Sequence, residues 1–428
     1  MTRSGEIPAL AFAFAVAVAV AFAVAVAFAV AVAVAVALAL AFFLFLNFHS
    51  ELGEEPAFRP FLAQAPAHTT HTTMYHLSNP MKPLTAASLL TLTTLLGCGS
   101  TTPSTTTTQT TTGLYTAYTQ AYQIPYTNSP TFGNLTTTLQ INATVGGGSE
   151  HAFTIDTGSV GVVLPATDIP TIPPNSPSGT LTYSSSGLQL TGVWATVPIT
   201  FPDAIIYGGA ASTATATIPV LAVTSSLCTG SGVNAGSCTG AIPHELGIGF
   251  GRGTTVQTSP LYNAALNLTN MLAGTMRRGY LIEREGLVLG LTNADVNPAY
   301  VTQALTSAGT PAAGTYNDWQ TPTGGFVLGT GSQLNGTVLI DTGLLDMFLE
   351  DTSLPSSGQP ANNTAVKIVI GTHDYIFNVG DGGDATPTSV NYATPSHGTF
   401  VNTGLRALGH YNLLYDADGG LFGLWYVN

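Results

Sequence analysis

The sequence predicts an all-β chain folded in two lobes, and three observations carry that expectation. Short segments rich in Val, Ile and Thr, set off by Gly, Pro, Asn and Ser, continue to the last residues. Only one segment has the punctuation of a helix. The tripeptide Asp-Thr-Gly closes an apolar stretch twice, at 156–158 and 341–343, so the strand pattern reads as two related halves.

Leu135–Ile141, Val193–Phe201, Ile218–Val223 and Ala365–Gly371 are each short, β-branched and bounded by turn residues, the composition that fits a pleated, half-buried surface. The one expected helix has Ser259 as N-cap and Pro260 at N1. It continues through Leu261, Ala265, Leu266 and Leu272 to Gly274. A β-rich region of roughly 300 residues is large for one core. Two lobes are therefore expected, at about 115–290 and about 291–428.

Of 428 residues, 9 are Lys or Arg and 22 are Asp or Glu, so 7% are charged and the net charge is −13. Ordinary domains carry about 25%. That balance excludes a basic nucleic-acid binder and a charge-laced helical bundle. From Cys98 onward one lysine, Lys367, and five arginines remain. Few carboxylates can then be held by salt bridges. Acid unfolds proteins chiefly by protonating paired carboxylates, so tolerance of low pH is expected.

Ala9 to Leu46 is an unbroken run of Ala, Val, Phe and Leu, nearly twice the ~20 residues that one membrane-spanning helix needs. It reads either as a mistranslated upstream repeat or as an atypical membrane segment. A secretory start reads better at Met81, or at Met74 just before it, with Lys82 as positive n-region and Ala86–Leu96 as a short apolar h-region. The closing Leu95-Leu96-Gly97-Cys98 resembles the lipobox of bacterial lipoproteins, which implies a lipid on Cys98. Gly99, where Asp would favour inner-membrane retention, implies an outer-membrane address in the cell envelope. The Thr/Ser-rich stretch 99–114 reads as a solvated tether. In an exported protein, Cys228 and Cys238, which bracket a nine-residue Gly/Ser-rich loop, can close a disulfide; two free thiols are the alternative.

The chemistry sits in the repeat. Phe153-Thr-Ile-Asp156-Thr157-Gly158-Ser159 and Val338-Leu-Ile-Asp341-Thr342-Gly343 each run an apolar strand into Asp-Thr-Gly. Such a strand presents a carboxylate on a tight turn, where Gly permits close backbone approach and Thr can hydrogen-bond across to its counterpart. Two carboxylates brought together cannot both ionise. They share a proton, so one serves as base and the other as acid.

On these residues the chain resembles the pepsin family of aspartic proteases, from about Tyr115 to Asn428. Pro165 follows Asp156 at the family's interval, and Leu246-Gly247-Ile-Gly-Phe looks like the strand that threads behind the first catalytic turn. Gly404, Arg406, Tyr411, Leu414, Tyr415, Asp416 and Gly423 resemble the family's C-terminal segment, with Arg406 set earlier. The resemblance implies a bilobal all-β fold and a peptide or protein substrate lying extended across a cleft. Asp156 and Asp341 would activate water, Thr157 and Thr342 would lock the turns, and Ser159 would hydrogen-bond Asp156. Tyr183 would be the flap tyrosine. No cofactor or nucleic acid is implied, and a monomer is expected.

Three departures stand out. Leu344 replaces a Ser or Thr that would orient Asp341, Val163 replaces a Trp that would partner Tyr183, and Val401-Asn402-Thr403-Gly404 is more polar than the family's apolar strand. These keep open an alternative, a catalytically weak or inactive envelope lipoprotein of the same fold with a binding or scaffold role. Other patterns are weaker. Gly247–Gly253 lacks the spacing of a phosphate loop. His151, His244, His373, His397 and His410 show no metal-ligand spacing and read as surface or turn residues.

Overall fold

The strand-rich sequence forms three large sheets in the computed structural model, which describes residues 109–110 and 113–427 apart from 254, 312, 313 and 315. The Ala9–Leu46 run, the Met74 and Met81 starts, the signal segment with Cys98 and most of the tether lie outside the described residues. The end of the tether departs from expectation. Gln109–Thr110 pairs antiparallel with Val301–Thr302 at a sheet edge, where backbone groups find ladder partners in place of water. Among the described residues no helix is long and apolar enough to cross a membrane.

Two seven-stranded sheets follow one plan. In the first, Gln140–Val145, Glu150–Asp156, Glu245–Ile248, Val160–Pro165 and Ala214–Cys228 lie side by side. In the second the corresponding order is Thr323–Leu328, Leu334–Leu339, Phe400–Asn402, Met347–Glu350 and Val390–Tyr392. In both, successive pairings are antiparallel, parallel, antiparallel and parallel. The chain therefore repeats a topology as well as a tripeptide, and it is all-β and bilobal.

An eight-stranded sheet draws on both halves, with Gly279–Glu283 and Gly286–Leu289 from the first and Val301–Ala304, Tyr411–Asp416 and Leu421–Tyr426 from the second. It ties the threaded segment to the C-terminus, since the Phe250 ring stacks on Tyr415 at 4.0 Å. The adjacent Asp416 is wholly buried, and Arg277 satisfies it through two hydrogen bonds of 3.0 and 2.8 Å.

The expected Val193–Phe201 and Ile218–Val223 segments lie inside longer strands, Leu188–Phe201 and Ala214–Cys228. The strand expected from Leu135 begins only at Gln140. Before it, the Asn128 amide donates to the Thr138 carbonyl at 2.7 Å and holds that stretch as a loop.

The helix expected over 259–274 is corrected. The segment forms two 3₁₀ turns, Pro260–Tyr262 and Ala264–Leu266, and a single α turn, Thr269–Leu272. Its asparagines explain why. The Asn263 side chain accepts from Ala265 N and donates to Ile248 O, while Asn267 donates to Pro260 O and Asn263 O, all within 2.8–2.9 Å. Side chains that bond the local backbone compete with a continuous helix ladder.

Candidate active site

Each Asp-Thr-Gly sits where its strand ends against the parallel threaded strand. Phe153, Ile155, Val338 and Ile340 are buried and anchor the two strands in the core. Asp156 and Asp341 are thereby delivered, both buried, to the boundary between the lobes, where their carboxyl groups meet.

The glycines permit this approach. A Cβ on Gly158 would stand 2.5 Å from Asp341 Oδ2, and one on Gly343 would stand 2.6 Å from Asp156 Oδ1. Each turn thus passes against the opposite carboxyl group, in a space that only glycine leaves open. Each glycine N–H also donates to its own aspartate Oδ1, Gly158 at 2.6 Å and Gly343 at 2.9 Å.

The threonines interlock. Thr157 N donates to Thr342 Oγ1 and Thr342 N to Thr157 Oγ1, both at 3.0 Å. The hydroxyls in turn donate across the boundary, Thr157 to Ile340 O and Thr342 to Ile155 O. Two buried N–H groups and two hydroxyls are satisfied reciprocally, so neither turn can move without exposing polar groups of the other.

Ser159 behaves differently from expectation. Its hydroxyl donates to Glu245 Oε1 at 3.2 Å. Glu245, which sequence reasoning missed, opens the threaded strand opposite Thr154, and its half-buried carboxyl group contacts both Asp156 and the Tyr183 side chain. The site therefore holds three carboxyl groups. Burial first, and then the charge of Asp156, pushes both Asp341 and Glu245 well above the usual carboxylate range. Among the described residues Arg252, half-buried, is a basic group close enough to both aspartates to feel their charge. Its Nε donates to Phe250 O at 2.8 Å.

The bond that Leu344 cannot make is supplied from elsewhere. Asn402 Nδ2 donates to Asp341 Oδ2 at 2.6 Å, and Asn402 Oδ1 accepts from Gly404 N at 3.0 Å. The polar character of Val401–Gly404 thus belongs to the site. Val163 packs in a small cluster with Leu190, Trp194, Leu221 and Val223, and Tyr183 rests against it. Trp194 supplies there the aromatic bulk that position 163 lacks.

Tyr183 lies at a tight hairpin turn, with Gly187 N donating to Tyr183 O at 2.8 Å. Cys228 and Cys238 form a disulfide, and their loop braces this turn. Thr229 N donates to Gly187 O at 3.0 Å and Asn234 N to Ser185 O at 2.7 Å.

Away from the two aspartates, two of the histidines come together. His244 Nε2 lies 2.8 Å and His151 Nε2 3.8 Å from Asp168 Oδ2. Their rings stack 4.4 Å apart and within 15° of parallel. Lone pairs of rings so stacked do not converge on one point, and His244 already engages the Asp168 oxygen, so the cluster is self-satisfied as it stands.

No protein-family model and no curated protein matches this sequence. Among solved structures, the aspartic proteinase from Irpex lacteus is similar over 72% of this chain and 98% of that one, at 15% identity and a TM-score of 0.44.

Proposed function

We propose that the chain is a pepsin-like aspartic endopeptidase. The observation that carries this reading is the reciprocal packing of Gly158 on Asp341 and Gly343 on Asp156, which brings two buried carboxyl groups into contact at the boundary of two matching lobes. Contact of that kind leaves the pair one proton short of full protonation over a range of pH. The ionised member takes a proton from a bound water as its oxygen attacks the scissile carbonyl carbon. The protonated member gives its proton to the carbonyl oxygen, where negative charge would otherwise develop. Collapse of the resulting diol returns a proton to the amide nitrogen as the C–N bond breaks, and the pair regains its single shared proton.

Of the three departures that kept a binding role open, the one at Leu344 is met by the Asn402 hydrogen bond to Asp341, which supports the enzyme reading. Tyr183, beside Glu245 and facing Asp156, is the proposed flap residue. The lipid on Cys98 and the envelope address form part of the proposal on sequence grounds alone.

Incubating the purified protein with a mixed peptide library from about pH 3 to 7 and reading new termini by mass spectrometry tests the reading. A bell-shaped dependence on pH is expected, because one acid and one base must coexist. A folded protein that cleaves nothing across that range contradicts it.

A further inference from the structure

Glu245 puts a carboxyl group on the sheet face that also carries the buried, apolar Val163. Across the sheet it faces Thr154 on one side and Val163 on the other. Neither of those carries charge. His244 alternates to the opposite face, where it bonds Asp168. The groups that do face Glu245 are Asp156, Ser159 and Tyr183, while Arg252 acts on the two aspartates. A carboxyl group placed there has only one productive arrangement. Ser159 donates to one of its oxygens, the Tyr183 phenol lies beside it, and the contact with Asp156 needs a proton, because two carboxylates in contact repel.

We propose that Glu245 is a positioning acid, donating a hydrogen bond to Asp156 so that Asp156 is the ionised member of the pair and Asp341 the proton-bearing one. This rests on the endopeptidase reading for its consequence, but not for its chemistry. Asp156 lies between two acids and receives a hydrogen bond from each. The working site holds two protons over three carboxyl groups, where a simple pair holds one over two. Asp156 is then the base that takes the proton of the attacking water, and Asp341 is the acid that protonates the carbonyl oxygen. At the matching strand position of the second lobe Asn402 gives Asp341 an amide donor, which favours charge on Asp341 but is outweighed by burial and by the charge of Asp156.

A hydrogen bond to the charged form of a carboxylate favours that form, so losing it makes Asp156 easier to protonate. Glu245→Leu removes the donor, and Glu245→Gln keeps an N–H donor and a carbonyl acceptor in nearly the same shape. In Glu245→Leu the acid limb of the kcat/KM profile is expected to rise by about one pH unit, and kcat to fall about tenfold. Glu245→Gln is expected to keep its acid limb within a few tenths of a unit of wild type. Superimposed wild-type and Glu245→Leu profiles overturn the proposal. So does a Glu245→Gln profile displaced as far as that of Glu245→Leu, since the donor would then not be the cause.

A second measurement needs no turnover. In protein labelled with ¹³C at glutamate carboxyl carbons, the resonance lost in Glu245→Gln identifies Glu245. It is expected to titrate above the ordinary glutamate range and to move toward that range in Asp156→Asn. Titration of Glu245 in the ordinary range overturns the proposal, whether or not any peptide is cleaved. A chain that cleaves nothing while Glu245 titrates high refutes the protease reading alone.

Discussion

Asn402 stands in the second lobe where Glu245 stands in the first. Each opposes the residue two places before its aspartate, Leu339 for Asn402 and Thr154 for Glu245, on a strand running parallel to the one that leads into that aspartate. The duplicated fold thus presents the same register position to each half of the pair, and the sequence fills it with an amide on one side and an acid on the other.

Asn402→Leu is expected to remove the 2.6 Å bond on Asp341, and it also takes the Oδ1 acceptor from the buried Gly404 N–H, so folding is checked beside activity. The amide holds Asp341 down against burial and the charge of Asp156, so its loss pushes Asp341 further above the usual carboxylate range. The alkaline limb of the activity profile should move up and kcat should fall about tenfold, the scale of one hydrogen bond to a charged group. An unchanged alkaline limb would show that Asn402 does not orient Asp341.

Gly158→Ala and Gly343→Ala place a methyl group within 2.5–2.6 Å of the opposite carboxyl oxygen. Neither glycine has a positive φ, so the obstacle is the facing carboxyl group rather than the backbone. Each substitution should reduce peptide cleavage by more than a hundredfold while circular dichroism stays close to wild type, since misplacing reacting groups by about 1 Å costs about that factor. Full activity in either variant contradicts the described approach of the two turns.

The threonine interlock makes an energetic prediction. Thr157→Val or Thr342→Val leaves a buried N–H on the opposite turn without an acceptor, at a cost of about 1–3 kcal/mol each. The two residues share one network, so the double variant should cost clearly less than the sum of the singles. Urea unfolding of the three variants measures this. Strict additivity would mean that the hydroxyls act independently.

Stability should fall as pH rises through neutrality. Burial pushes Glu283 up to about 7, partly relieved by the Tyr300 hydroxyl, and it pushes Asp295 up to about 7 against the donors of Thr292. A carboxyl group with a folded pKa above its unfolded value binds more protons when folded, so its contribution is present at low pH and is lost between about pH 4 and 7. Each accounts for roughly 3 kcal/mol across that window. Asp351 and Asp381, held below the ordinary range by hydrogen bonds from Ser353 and Thr386, act with the opposite sign and only in stronger acid. The midpoint of thermal unfolding should therefore be higher at pH 5 than at pH 8, and Glu283→Gln should flatten the difference. A midpoint that climbs with pH contradicts this assignment.

The pair of carboxyl groups, the interlocking threonines and the glycine turns were legible because each lies within one short repeated segment. The disulfide was legible from a short loop bracketed by two cysteines. What the sequence hid depends on register. Glu245 reaches Asp156 only because its strand threads in parallel beside Glu150–Asp156, and Asn402 lies 61 residues from the Asp341 it serves. Leu344 therefore read as a lost hydrogen bond whose replacement could not be seen. The 259–274 segment read as a helix because its apolar spacing is helical, whereas the side chains of Asn263 and Asn267 decide its backbone.

The most direct test of the central claim is cleavage of one defined peptide by the wild type and by Asp156→Asn and Asp341→Asn, with folding verified for all three. If the two aspartates jointly activate water, each substitution should abolish cleavage to the limit of detection while leaving the unfolding transition cooperative. Cleavage that survives either substitution at a rate near wild type would contradict a two-aspartate mechanism.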